Sequence, residues 1–261
     1  MNLGIPQRCA QPTSAIIAAM IFLLLPAVAL GAQRGQRGAA AGPPRPAREA
    51  APVDLTGYWV SVVSEDWRVR MVVAQKGDWQ FMPLNAEGNK VALANNPAAE
   101  DPCKAYGAAG IMRVPTRLHI TWDNDSTLHI DTDAGKQTRL FHFGQAQTPA
   151  GAPSLQGYSI AQWEARASNP DVGGKQTAGG ELKVVTTRMT PGYYFKHGVP
   201  YSGNAVLTEY FARLSEGPID YLMVSTVVED PQYLTQPFAK TLVFKREPDG
   251  SKWNPAPCSI P

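Results

Sequence analysis

Two histidines and an aspartate, His119, His129 and Asp131, are the first residues in this sequence whose types could do chemistry, because imidazole nitrogens beside a carboxylate form a common donor set for a divalent metal. Arg117 to Trp122 alternates apolar and polar, Asp123 to Ser126 is a turn, and Leu128 to Thr132 alternates again, which reads as a hairpin. Matching Leu118, Ile120 and Trp122 with Leu128 and Ile130 on one face places Trp122 opposite Leu128 and His119 opposite Asp131. The three polar residues then share the other face. No His-x-x-x-His or Cys-x-x-Cys adds a further ligand, and His142 and His197 are distant in sequence. The trio therefore reads as solvent-facing pairs beside a carboxylate, and no metal is expected.

Gly157-Tyr158-Ser159 raises nucleophilic hydrolysis, but a nucleophile elbow needs a second glycine where Ala161 stands, so Ser159 reads as a turn or cap residue ahead of Trp163. Phosphate-loop and dinucleotide fingerprints are absent, and the glycine pairs at 173–174 and 179–180 bracket a polar loop, so no cofactor is expected. Acid–base chemistry has one candidate. Glu209 interrupts the apolar strand Ala205 to Phe211, and alternation puts it on one face with Ala205, Leu207 and Phe211. A carboxylate among such neighbours either pairs with an arginine or has its charged form disfavoured by desolvation, the state a general acid or base exploits. Arg68 and Arg70, on one face of a strand read over Trp67 to Val73, are the pairing candidates. The catalytic set would be Glu209 with Arg70 and Tyr210, and a ligand site would draw on Trp67, Arg68 and Tyr201. Set against it, a buried Glu–Arg bridge would do no more than fix the strands in place.

The elements that must position these residues are mostly strands. Besides the hairpin, Gly57 to Val63, Arg139 to Phe143, Leu182 to Met189, Tyr221 to Val228 and Thr241 to Lys245 carry strand patterns, and 139–143 is apolar on both faces, which leaves its register open. One helix stands out near 85–94, with Asn85 as N-cap and a stop at Asn95-Asn96-Pro97. Eight or nine strands, one short helix and many Gly and Pro turns describe an all-β, mainly antiparallel protein. A lipocalin-like barrel, whose closure leaves no edge, is the leading architecture and a two-sheet sandwich the alternative.

The N-terminal region has another origin. Arg8 precedes an apolar run from Ala15 through Leu25, continued by Ala27 to Leu30, with small residues near Ala29 to Ala32, and this order reads as a cleaved signal peptide over 1–32. Pro26 and the shortness of the run argue against a retained span, and Cys9 lies ahead of the run, where no lipid anchor would sit. Residues 33–52 hold Ala, Gly, Pro, Arg and Gln without periodicity and read as a disordered tether. Removing the five arginines and one glutamate up to Ala50 from 24 basic and 22 acidic residues leaves 19 and 21 for the body. That slight negative charge argues against a nucleic-acid partner. Residues 53–261 suit one domain, and a periplasmic or secreted location is expected, with the oligomeric state left open. Cys103 and Cys258, an even pair in an exported body, are expected to form a disulfide that clips the C-terminal tail to it.

Several segments resemble a family of exported, β-rich bacterial proteins to which no activity is assigned. They are Asn85-Ala86-Glu87-Gly88, Asp101-Pro102-Cys103 with Gly110 to Arg113, Gly157 to Glu164, Leu182 to Thr186, Gly198 to Ser202 with Glu209-Tyr210-Phe211, and Thr226 to Pro231 with Pro237-Phe238. Tyr201 stands where that family usually has His, and Tyr210 where it usually has Arg. The resemblance implies an exported β-rich fold and carries no catalytic set. The resulting expectation is a barrel whose lumen or mouth binds a small, partly apolar molecule. The alternatives are a cofactor-independent lyase, isomerase or hydrolase built on Glu209, or a structural envelope interaction module with a filled interior.

Overall fold

The computed structural model describes residues 45–259 apart from 65–66, 73–74, 80, 145–150 and 166–178, and of residues 68 and 69 the backbone alone. The apolar run, its cleavage region and most of the polar loop after Gly173 lie outside the described residues.

Among these, nine strands close into a barrel of lipocalin-like build: β1 (Gly57–Ser61), β2 (Arg117–Asn124), β3 (Thr127–Thr132), β4 (Gln137–Phe143), β5 (Tyr158–Ala165), β6 (Gly180–Thr187), β9 (Val206–Glu216), β10 (Ile219–Glu229) and β11 (Phe238–Glu247). A separate hairpin is made by β7 (Gly192–Phe195) and β8 (Val199–Tyr201). The barrel runs β1-β11-β10-β9-β6-β5-β4-β3-β2, and β1 closes it by pairing with both β11 and β2, which rules out the sandwich. Neighbours are antiparallel except β4 and β5, whose short parallel pairing runs from Phe141↔Ser159 to Phe143↔Ala161.

Alternation makes the lumen. Trp59, Leu118, Ile120, Leu128, Ile130, Phe141, Leu182, Val184, Phe211, Leu222, Val224, Leu242 and Phe244 all point inward and are buried, so the interior is filled by side chains. The β2–β3 register is the one read from the alternation, with Trp122 opposite Leu128 and His119 opposite Asp131. The open register of β4 resolves with Phe141 opposite Leu128 and Arg139 opposite Ile130. Phe141 and Arg139 therefore face the lumen, and Leu140 and His142 face out.

One end of the barrel is capped. The cap comprises α2 (Ala86–Ala94), the 3₁₀ turn Pro102–Tyr106, α3 (Ala108–Ile111) and the β7–β8 hairpin. Asn85 caps α2 as expected, its side chain accepting from the Gly88 amide at 2.8 Å. The Cys103–Cys258 disulfide joins this cap to the C-terminal tail, whose Ala256 amide donates to Asp133 O at 2.8 Å. At the other end, the mouth, the chain before β1 crosses the opening. Trp163 donates to Ala47 O at 2.8 Å and the Arg48 amide to Asp125 O at 3.1 Å, so the described body takes in residues 45–52 as well. These are backbone contacts, which an Ala/Pro-rich composition does not advertise.

The strand read over Trp67 to Val73 is corrected: residues Trp67–Arg70 form a short helix, α1. Alternation in a lone segment without a pairing partner did not suffice to make a strand. Conversely, Ser159 is no turn or cap residue; it sits inside β5, a strand missed because Tyr158 and Ile160 lie on its outer face while polar Ser159 faces in.

Candidate functional site

Glu209 is wholly buried in the lumen, at the second inward position along β9 after Leu207. Among the described residues its partner is not Arg70 but Arg139, 1% exposed and inward-facing on β4 across the lumen. Arg139 Nη1 donates to Glu209 Oε1 at 3.0 Å and Nη2 to Oε2 at 2.6 Å, a bidentate pair. Nη2 also donates to Thr186 Oγ1 at 3.3 Å, and Thr186 shares a hydrogen bond with Ser159 Oγ at 2.7 Å. The Arg139 guanidinium lies 4.9 Å from the Phe141 ring centre. Both oxygens of the carboxylate are thus held by N–H donors of one guanidinium. Glu209 lines neither the mouth cleft nor the cleft at the capped end described below.

Sequence reasoning missed Arg139 because β4 is apolar on both faces. The signal was there: pairing Phe141 with Leu128 turns Arg139 inward, and a buried Arg demands a carboxylate.

The other predicted residues disperse. Arg70 is fixed to backbone, with Nε donating to Arg113 O at 3.0 Å, Nη1 to Val62 O at 3.3 Å and Nη2 to Met112 O at 3.5 Å. Tyr210 lies on the outer face of β9, its ring 5.7 Å from Lys183 Nζ. Trp67 is 57% exposed, and the Arg68 side chain is outside the described residues. Tyr201 is fully buried in the cap, packed edge-on against Tyr194 at 5.4 Å. Its hydroxyl is wedged between two glycines: a Cβ on Gly107 would stand 2.0 Å from Tyr201 Oη, and one on Gly192 2.4 Å. The hydroxyl has no hydrogen-bond partner among the described residues, and burial pushes its pKa up against the lowering charge of Arg139. On the outer face, His129 Nε2 meets Asp131 Oδ1 at 2.9 Å, and His119 stacks on Tyr58 at 4.2 Å. No group of three His, Cys, Asp or Glu among the described residues could hold a metal.

The mouth is where the barrel opens. Trp122, Phe143 and Trp163 occupy the last inward positions of β2, β4 and β5, with ring centres 5.4 to 6.5 Å apart. Opposite them, Arg213 Nη2 donates to Asp220 Oδ2 at 2.6 Å, and Arg213 Nη1 donates to Asp54 O at 3.1 Å. Arg246 lies 5.2 Å from the Trp59 ring. Between the aromatic wall and the crossing chain is a cleft of about 330 Å³ lined by Arg48, Val53, Asp54, Leu55, Trp122 and Trp163 among others. Burial works to raise the Asp54 carboxyl, but bonds from the Thr56 hydroxyl and amide, helped by Arg246 and Arg213, hold it below its ordinary range. The cleft thus joins two indole faces, aliphatic side chains, one carboxylate and one guanidinium.

The class defined by these features is a closed, lipocalin-like β-barrel with a filled lumen and a partly aromatic mouth. Compared with known protein families, curated proteins and solved structures, the chain matches none. Among the described residues no helix is long and apolar enough to cross a membrane.

Proposed function

We propose that this protein is exported and binds a small, partly apolar molecule at the barrel mouth, in the cleft between residues 48–56 and the indoles of Trp122 and Trp163. The observation that carries the reading is that cleft. At about 330 Å³ it falls in the range of small-ligand pockets, roughly 300–1,000 Å³, and it pairs aromatic walls with a few polar groups. The filled lumen moves the ligand from inside the barrel to its rim. The closed Glu209–Arg139 pair gives the acid–base alternative no support. Export is supported by the apolar N-terminal run and by the paired cysteines of the body.

The test is a titration with N-phenyl-naphthylamine, a neutral probe that fluoresces when it enters an apolar site. Saturable binding by the mature protein, weakened in both Trp122→Leu and Trp163→Leu, is expected. Equal binding by these variants would remove the mouth as the site. The interaction-module alternative is favoured by one observation, the exposure of Trp67, Met71 and Phe81, the last at 99%, on the chain between β1 and α2.

A further inference from the structure

At the capped end, away from the mouth, a second cleft opens between the cap and the chain that follows β1. Arg70, Arg113 and Lys196 contribute to its wall together with Val72, Val114 and Phe195, and none of its described lining residues is a carboxylate. The cavity measures about 60 Å³, the liquid volume of roughly two water molecules. That admits a head of a few atoms while a longer tail stays at the opening.

One residue of this wall carries a buried donor with no hydrogen-bond partner among the described residues, the Tyr194 hydroxyl, on a side chain 1% exposed. Buried donors are almost always satisfied, so such an atom points to something that sits against it. Burial, helped by the charge of Asp230, pushes the Tyr194 phenol up against the opposing charge of Arg113, which keeps it protonated and a donor. Burial lowers His197 against the opposing Asp78, which keeps its imidazole neutral. The Arg113 guanidinium is stacked between rings, 5.0 Å from the Phe195 centre and 4.7 Å from that of Phe238. A cation held this way in a low-dielectric wall attracts an anion far more strongly than one in water.

We propose that this cleft is a second binding site, one that takes the carboxylate of a small organic acid. The phenol of Tyr194 donates to a carboxylate oxygen, the cationic wall balances its charge, and Val72, Val114 and Phe195 receive the first carbons of the tail. Those apolar walls favour a carboxylate over a hydrated phosphate.

Trp79 provides the readout, because its ring stacks on His197 with centres 6.0 Å apart and planes 2° from parallel. In full-length mature protein labelled with fluorotryptophan, propionate should shift the Trp79 fluorine resonance saturably, while propionamide and inorganic phosphate at the same concentration should not. Tyr194→Phe should weaken propionate by about tenfold, as expected for loss of one hydrogen bond to a charged group. Val72→Glu, at an exposed position where folding is not at risk, should weaken it by about as much through repulsion. The absence of a saturable shift, an equal response to propionamide or phosphate, or unchanged affinity in both variants would overturn the assignment.

Discussion

Glu209→Gln keeps the side chain's shape and removes its charge, and this single change isolates what the lumen pair does. In the wild type the Arg139 guanidinium has two bonds to the carboxylate, at 3.0 and 2.6 Å, and one at 3.3 Å to a neutral hydroxyl. The Gln variant leaves a cation that is 1% exposed with neutral partners alone, and such an uncompensated buried charge costs about 3 to 5 kcal/mol. Domains of this kind are stable by about 5 to 15 kcal/mol, so the variant should be visibly destabilised. Arg139→Met should cost a similar amount by stranding the carboxylate. The double variant Glu209→Leu/Arg139→Met strands nothing and should lie near wild type, because well-packed apolar replacements of buried pairs are often neutral or better. Urea unfolding of wild type, Glu209→Leu, Arg139→Met and the double variant, followed by tryptophan fluorescence, gives the cycle, with Glu209→Gln as the isosteric control. A Glu209→Gln variant within about 0.5 kcal/mol of wild type, or a double variant as poor as the summed singles, would refute the argument that the pair is a closed structural unit.

Two further perturbations follow from the cap. Tyr201→Phe removes a buried hydroxyl without a partner among the described residues and should leave stability unchanged or raise it by about 1 kcal/mol. Gly107→Ala, which sets a methyl 2.0 Å from that hydroxyl and 2.9 Å from Leu155 O, should cost about 1 to 3 kcal/mol and recover only in part in the Tyr201→Phe background, as thermal melts would show. The Cys103–Cys258 bond closes a sequence separation of 155 residues, so Cys258→Ser should cost about 5 kcal/mol on loop-entropy grounds. Thiol labelling of unfolded, unreduced mature protein should find no reactive cysteine, and two would contradict the pairing.

Much of the barrel was legible because its strands keep a strict period of two with one apolar face, as in β2, β3, β6 and β9. Glu209 could be placed inside for the same reason. Its partner could not, because Leu140 and Phe141 make β4 apolar on both faces and register there is decided by the neighbouring strand. The segment 67–72 shows the opposite failure: it alternates, yet among the described residues no strand pairs with it, and Trp67–Arg70 turns into α1. The mouth was least legible of all. Trp122 was read as a hairpin residue and Trp163 as lying beyond a turn, and their meeting depends on β4 joining β5 in parallel, a long-range choice that no local pattern encodes. The crossing chain at 45–56 is held by backbone carbonyls and amides, which leave no trace in side-chain type.

The central claim is that the mouth cleft takes the ligand, and the six tryptophans allow it to be read directly, since Trp122 and Trp163 line that cleft while Trp59, Trp67, Trp79 and Trp253 do not. In mature protein labelled with fluorotryptophan, saturating N-phenyl-naphthylamine should move the Trp122 and Trp163 fluorine resonances and leave those of Trp67, Trp79 and Trp253 in place. Bound probe with both mouth resonances unmoved, or a shift centred on Trp67 or Trp79, would contradict the account.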